Sequence, residues 1–231
     1  MKKKLSVAIM ALMVMGASFV HAQKSSLIVR GGVNLANVST TDNGRVQNAK
    51  MLTSFQVGLI GDLNVTSFLA IQPGIIFTGK GTKSQSGNPG DANYFRATTN
   101  PYYIEVPVNV VFKAPLGEGA KFFVGAGPYV AMGIAGKNKT EGNIFGVPFS
   151  SEKNIKWSND DPTTATEENT GFGIMRRFDY GLNGTAGIEI NSVVLSANYG
   201  YGLAKLQSGS NSSADDKNKN RVLSFALGFK F

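Results

Sequence analysis

The last eleven residues of the chain, RVLSFALGFKF at positions 221–231, decide its fold. Read with a period of two, one face of this segment carries the larger apolar side chains, Leu223, Phe225, Leu227, Phe229 and Phe231. The other face carries smaller or polar side chains, Val222, Ser224, Ala226, Gly228 and Lys230. A strand that is apolar on one face and ends in an aromatic residue is typical of a membrane-spanning β-barrel strand. We therefore expect Phe229 and Phe231 to form the C-terminal signal that the barrel assembly machinery reads.

The other end of the chain has the pattern of an export signal. Three lysines at positions 2–4 precede an apolar stretch at 5–20, and Val20-His21-Ala22 supplies a small residue for cleavage before Gln23. An uncleaved membrane anchor is the alternative, but the apolar stretch is short for a spanning helix. We predict a cleaved signal peptide over 1–22 and one barrel domain over 23–231.

Composition limits the chemistry of the exported chain. The 231 residues include no cysteine, and the single histidine, His21, lies in the predicted signal peptide. Nucleophilic sites built on histidine, zinc sites built on imidazole or thiolate, and haem ligation by either residue are therefore excluded. Adjacent acids at 160–161 and 167–168 are interpreted as solvated loop charge. We predict that the protein is not an enzyme and uses no cofactor.

The charge of the chain is moderately positive. Its formal net charge is +8, which falls to +5 when the three lysines of the predicted signal peptide are removed. This balance favours anionic lipid headgroups or surface polysaccharide as partners. No basic run interleaved with aromatic residues is present, so we expect no binding of nucleic acid.

Eight segments carry the period-two signal of a half-buried strand. They lie near 25–36, 52–63, 67–80, 101–113, 121–134, 177–190, 192–205 and 221–231. The connections alternate between short ones, at 64–66, 115–119 and 191, and long ones, at 37–51, 81–100, 135–176 and 206–220. This predicts an all-β, eight-stranded, antiparallel up-and-down transmembrane barrel with short periplasmic turns and long extracellular loops. The compartment that follows is the outer membrane of a Gram-negative bacterium, with its lipid around the barrel.

Charged residues fall on the polar face of the predicted strands, which is the face that would point into the barrel. They are Arg30, Glu105, Lys113, Asp179, Glu189 and Lys230. Eight strands enclose an interior just wide enough to be filled by side chains, where unpaired charge is costly. We predict a lumen charge network of mixed sign that closes the interior. A narrow path for ions or protons is the alternative.

Two neighbouring motifs carry a family resemblance. The segment YYIEVPV at 102–108 is followed by FFVGAGPY at 122–129, and the pair resembles the PorT-like outer-membrane β-barrel proteins of Bacteroidetes. The resemblance covers essentially the whole exported chain and implies an eight-stranded barrel. Many members of that family are described only as porin-like, and a few assist secretion of other proteins across the outer membrane.

These observations predict a non-enzymatic integral outer-membrane protein that is structural or binds surfaces through its long loops. The loop at 135–176 carries the lone tryptophan, Trp157, which we take as the candidate contact for a surface or secretion partner. A strand extension or an unstructured loop is the alternative interpretation of 135–176. A narrow porin-like channel for small solutes is the alternative function. A soluble lipocalin-like barrel is a third possibility, but it would turn its apolar face inward.

Overall fold

The computed structural model describes residues 25–39, 41–42, 45–46, 49–159, 173–206 and 218–231. The predicted signal peptide lies outside these residues. No helix within the described ranges is both long and apolar enough to cross a membrane.

Eight antiparallel strands form a closed ring. They are β1 (Ser26–Ser39), β2 (Leu52–Asn64), β3 (Leu69–Gly79), β4 (Tyr94–Gly117), β5 (Ala120–Ile144), β6 (Phe178–Ile190), β7 (Val193–Gly202) and β8 (Lys219–Lys230). Each strand pairs with the next along the chain, and β8 pairs with β1. Closure removes the free edges whose unpaired backbone groups would otherwise face lipid. The predicted eight-stranded up-and-down barrel is confirmed.

The period-two pattern of each strand fixes which side chains face outward. In β4, Val106, Val108 and Val110 are exposed on the outer surface, whereas Glu105 and Asn109 are buried inside. The same alternation runs through β8, in which Leu227 points outward. The outer surface is therefore an apolar belt suited to lipid, and the interior is polar. This arrangement is the reverse of a soluble lipocalin-like barrel.

Aromatic side chains mark both rims of the belt. At the end of the long loops, the ring centroids of Phe55, Phe77 and Tyr102 lie 5.4 to 6.0 Å from one another. At the opposite end, the rings of Phe229 and Phe231 meet edge to face at 5.0 Å. Aromatic rings tolerate the headgroup region, so both clusters fit a barrel that spans a bilayer.

Short connections lie together at the end of the barrel that carries Ser26 and Lys230. The turn between β4 and β5 consists of residues 118–119 because β4 runs on to Gly117, and the turn between β6 and β7 consists of residues 191–192. Asn191 has a φ of 52°, and its backbone N–H donates to the carbonyl of Gly119 at 2.7 Å. We call this end of the barrel the turn end and the other end the loop end.

Strands β4 and β5 extend beyond the ring at the loop end. Residues 94–100 pair with 137–143, and the strands Thr82–Ser86 and Val147–Asn154 flank them, with Ala49–Lys50 at one edge. We call this five-stranded structure the projecting sheet. The seven residues of β4 within it span about 23 Å.

The projecting sheet corrects two boundaries that the sequence predicted. Residues 81–100 were expected to form a long loop, and β5 was expected to end at residue 134. Both faces of the projecting sheet lie outside the apolar belt, so its strands lack the alternation of apolar and polar residues by which strands are recognised. Strand extension is therefore the correct interpretation for the first part of 135–176.

Two short pairs complete the described secondary structure. Lys156–Trp157 pairs in parallel with Ile174–Met175, and Thr41–Asp42 pairs with Arg45–Val46. The first pair lies over the barrel, where Ile155 and Met175 belong to one buried apolar cluster.

Candidate functional site: the barrel interior and its mouth

A group of four charged residues fills the interior near the turn end. Its members, which we call the turn-end cluster, are Asp62, Lys113, Glu189 and Lys230. Asp62 Oδ2 lies 2.6 Å from Lys113 Nζ and 2.8 Å from Lys230 Nζ, and Lys230 Nζ lies 2.7 Å from Glu189 Oε1. Gln72 Nε2 donates to the second oxygen of Asp62 at 2.9 Å. Two cations and two anions thus neutralise each other across four strands.

A second group lies in the half of the barrel nearer the loop end. Lys80 Nζ is 2.7 Å from Glu105 Oε2 and 3.0 Å from Asp179 Oδ2, and we call these three residues the mouth cluster. Tyr129 donates its hydroxyl to Asp179 Oδ2 at 3.1 Å, and its ring lies 4.2 Å from Lys80 Nζ. Asn183 Nδ2 donates to the free oxygen of Glu105 at 3.0 Å. Each charged group therefore has a charged or hydrogen-bonding partner inside the barrel.

Apolar side chains form a third component of the interior. This apolar layer consists of Ile28, Ile60, Ile76, Val111, Phe123 and Val194. Arg30 lies beside it, and its Nη1 donates to Asn198 Oδ1 at 3.4 Å. Arg30 forms no ion pair with any residue that the structure describes.

Small cavities adjoin Arg30 on both sides. One, of about 30 Å³, is lined by Gln56, Lys80, Glu105 and Asn109 among others. The other, of about 20 Å³, lies against Ile28 and the apolar layer. A cavity must measure at least about 10–15 Å³ to hold one water molecule, so each of these cavities has room for one to three waters.

The mouth of the barrel is covered by the returning part of the 135–176 connection. The indole ring of Trp157 meets the ring of Tyr103 edge to face at 5.7 Å and packs directly over Gly133. Beside it, an apolar group closes the opening; its members are Val38, Ile155, Met175 and Leu206. We call this assembly the mouth plug. It forms because these side chains bury apolar surface against the barrel that they would otherwise expose to water.

We expected Trp157 to contact a surface or secretion partner. Its ring is half-buried and packs against Tyr103, Tyr129 and Ala131, and its role as a partner contact stays a prediction. A tryptophan in a polar loop gains more from such packing than from exposure to water. Among the described residues of this connection, the exposed large apolar side chains are those of Ile144, Phe145 and Val147 in the projecting sheet.

The structure places the six predicted lumen charges in different surroundings. Glu105 and Asp179 belong to the mouth cluster, whereas Lys113, Glu189 and Lys230 belong to the turn-end cluster. Arg30 stands apart from both, in contrast to the paired state that we predicted for it. Its guanidinium bonds to an amide because the nearest acids are already held by lysines.

The sequence analysis missed Lys80 and Asp62. Each of them forms ion pairs with two residues of the opposite charge in its cluster. Both follow the inward parity of their strands: Asp62 continues the face of Gln56, and Lys80 continues that of Thr78. The signal was therefore present, but each residue lies at the end of its strand, where parity is hardest to judge.

The predicted assembly signal lies at the junction of the first and last strands. Phe229 and Phe231 both point outward, and the backbone N–H of Phe231 donates to the carbonyl of Leu27 at 2.8 Å. Its function as a signal for the assembly machinery stays a prediction.

Ion pairs lie on the projecting sheet, outside the membrane. Lys139 Nζ lies 2.6 Å from Glu141 Oε2, and Arg96 Nη1 lies 2.9 Å from Glu141 Oε1. The hydrogen bond from Lys139, with a smaller contribution from Arg96, lowers the pKa of Glu141. The equivalent contact with Lys137 lowers the pKa of Glu152. These pairs are solvent-accessible, so they contribute little to stability.

The buried carboxylates of the interior are neutralised by lysines. The lysines of the two clusters hold all four buried carboxylates, and no group of three or more acidic or histidine residues in the described ranges is arranged to bind a metal ion. The arrangement is suited to filling the barrel and fixing its strands.

Comparison with known proteins finds one family match and several similar solved structures. Residues 21–208 match the family described as outer membrane protein beta-barrel domain. Similar solved structures include the attachment invasion locus protein Ail of Yersinia pestis, with 16% identity, coverage of 90% of this chain and 100% of that chain, and a TM-score of 0.41. Neisserial surface protein A has 14% identity, coverage of 90% and 100%, and a TM-score of 0.42.

A third similar structure is OprG from Pseudomonas aeruginosa, with 12% identity, coverage of 91% of this chain and 97% of that chain, and a TM-score of 0.42. No curated protein matches the sequence. The family match extends over most of the chain and includes both motifs of the PorT-like resemblance, although that narrower assignment stays a prediction. The chain belongs to the outer membrane protein β-barrel domain family.

Proposed function

We propose that this protein is a non-enzymatic integral outer-membrane barrel whose interior is closed and whose function lies in surface contact at the loop end. The closed interior is supported by the two clusters, the apolar layer and the mouth plug, which follow one another along the barrel. Together with Arg30, the clusters bring four cations and four anions into the interior, so no net charge attracts an ion. The adjoining cavities are too small for solutes.

The observation that carries the proposal is the apolar tip of the projecting sheet. Residues Phe145 and Gly146 form a two-residue turn with φ of 50° and 82°, as tight hairpins require, and the Phe145 side chain is 86% exposed. Ile144 and Val147 flank it and are also exposed. Large apolar side chains held well beyond the lipid belt are costly in water, so we assign this tip to contact with another surface.

A secretion accessory role is the second candidate, and the edge of the projecting sheet favours it. Strand Val147–Asn154 pairs with β5 on one side and with no described strand on the other. An extended segment of a passing protein would add to such an edge through backbone hydrogen bonds. Pro148 and the charged pair Glu152 and Lys153 would limit indiscriminate pairing there.

The test is to remove the apolar tip without disturbing the barrel. Cells that display equal amounts of the wild type and of the triple variant Ile144→Ser, Phe145→Ser, Val147→Ser are compared for attachment to hydrophobic and polysaccharide-coated surfaces. The matched control is Leu116→Ser, since Leu116 is 62% exposed at the turn end. We expect the triple variant to lose attachment and the control to keep it. Equal attachment by all three proteins would contradict the assignment of function to the tip.

A further inference from the structure

The turn at the tip of the projecting sheet places an aromatic residue in a left-handed backbone conformation. Ile144 pairs with Val147, so Phe145 and Gly146 alone connect the two strands, with φ of 50° and 82°. Two-residue hairpin turns favour glycine, asparagine and aspartate at such positions, because other side chains are strained there. Phe145 therefore costs the hairpin backbone energy, which indicates a role for its side chain beyond the turn.

The turn is held in place by the neighbouring connection at residues 87–93. The backbone N–H of Gly146 donates to the carbonyl of Ala92 at 3.1 Å, and that of Phe145 donates to Asn93 Oδ1 at 3.4 Å. Both backbone donors of the turn are thus satisfied within the protein, which is the condition for a segment that enters hydrocarbon. The same bonds fix the turn in one conformation before it meets a partner.

Apolar side chains continue below the turn on one face of the projecting sheet. Phe95 and Phe149 both pair with Gly142, and the ring of Phe149 packs over that glycine. Three positions separate Gly142 from Phe145, so the apolar zone is about 10 Å deep. Residues 142–151 carry no charge. Protein elements that lie in a membrane interface bury their apolar side chains about 5–10 Å deep, which matches this zone.

The size of the apolar zone favours a bilayer over a folded protein as its partner. A stable protein interface uses about 20–30 residues on each side, whereas this zone is one convex turn with two further phenylalanines. Asp91 lies beside the turn, since its carbonyl accepts a hydrogen bond from Asn143 Nδ2 at 3.3 Å. Anionic headgroups would repel its carboxylate, so zwitterionic lipid is the better match.

We propose that Phe145 and the apolar side chains around it insert into a second bilayer of zwitterionic phospholipid. The inference rests on the proposed function, because it names the surface that the tip contacts. The tip faces a second membrane because residues 137–144 carry it about 26 Å beyond the ring. One tip attaches weakly and reversibly, as one acyl chain does, and many barrels on one cell bind together.

The test combines barrels in lipid nanodiscs with protein-free vesicles of phosphatidylcholine. The chain has no cysteine, so Val147→Cys supplies a single site for a polarity-sensitive fluorophore. Leu116→Cys supplies a matched, exposed site at the turn end. Vesicles whose acyl chains carry bromine quench a label that enters their hydrocarbon. We expect the vesicles to shift the emission of the label at 147 to shorter wavelength and to quench it, and to leave the label at 116 unchanged.

The variant Phe145→Asn separates insertion from folding. Asparagine suits the left-handed turn, so the thermal unfolding midpoint should be equal to or above that of the wild type. Binding to the vesicles, measured by flotation, should fall roughly 10- to 100-fold, because the most exposed apolar side chain is removed. Leu116→Asn is the control and should keep the binding of the wild type.

The outcomes distinguish this inference from the proposed function. Absence of quenching at position 147, or equal vesicle binding by Phe145→Asn and the wild type, would overturn the bilayer as partner. If cell attachment still depended on the tip in that case, surface contact would stand and the partner would be a protein or a polysaccharide. Loss of tip dependence in both assays would overturn the proposed function as well.

Discussion

Replacing Lys80 by methionine tests how much the buried ion pairs of the interior contribute to the free energy of unfolding. In Lys80→Met, Glu105 and Asp179 are left facing each other without a cation, although both were within 3.0 Å of Lys80 Nζ. Breaking a buried ion pair from one side typically costs about 3–5 kcal/mol of unfolding free energy. Lys80 is 3% exposed and Glu105 7%, so solvent screening does not reduce this figure much.

The complementary substitution Glu105→Gln should cost less. Asp179 remains beside Lys80, and the glutamine carbonyl still accepts a hydrogen bond from Lys80 Nζ. The substitution removes the charge of one hydrogen-bond acceptor, and a hydrogen bond to a charged group contributes about 1.5–3 kcal/mol. The double variant leaves only one uncompensated carboxylate, so its cost should be smaller than the sum of the two single costs.

Urea unfolding of the barrel in lipid vesicles measures these differences, with the fluorescence of the lone tryptophan as the signal. Lys153→Met serves as the control, since Lys153 is exposed on the projecting sheet. We expect the unfolding midpoint to fall most for Lys80→Met, less for Glu105→Gln, and not at all for the control. A midpoint for Lys80→Met equal to that of Lys153→Met would refute the reasoning, because it would show that the mouth cluster is solvated.

Three further predictions concern the mouth, the C-terminus and the projecting sheet. Gly133→Val should displace the indole of Trp157, which packs directly on this position, and shift its emission to longer wavelength; an unchanged spectrum would contradict the packing of the mouth plug. Deleting Phe231 should lower the yield of folded barrel sharply, whereas a short deletion in the last long loop should not, as measured by heat-dependent gel mobility; equal yields would remove the assembly signal. In an NMR titration, Glu141 should show a pKa below the ordinary glutamate value, and Lys139→Gln should raise it. Because that pKa is lowered, the stabilising contribution is present above the ordinary glutamate pKa and is lost as the pH falls through the lowered one.

The fold was largely predictable because lipid imposes a strict pattern on each spanning strand. All eight ring strands were located, since outward residues such as Val108 and Leu227 must be apolar and their neighbours need not be. The same rule placed Glu105 and Lys113 inside. The alternation of outward and inward residues along each strand therefore predicts both the architecture and the residues that fill the interior.

What the sequence did not predict depends on contacts between distant segments. The pairing of Asp62 with Lys230 joins β2 to β8 across the interior, and no local pattern specifies it. The burial of Trp157 depends on where the 135–176 connection returns. The projecting sheet lies outside lipid, so nothing forces its residues to alternate, and 94–100 was interpreted as loop for that reason.

The central claim is that the interior of this barrel is closed, and single-channel recording in a planar bilayer tests it most directly. The wild type should show no stable open level, because the two clusters, the apolar layer and the mouth plug fill the interior and the cavities beside Arg30 measure about 30 and 20 Å³. Displacing the Trp157 indole with Gly133→Val should still leave the barrel closed, since both clusters remain. A large and stable conductance of the wild type would contradict the account and favour the narrow porin-like channel.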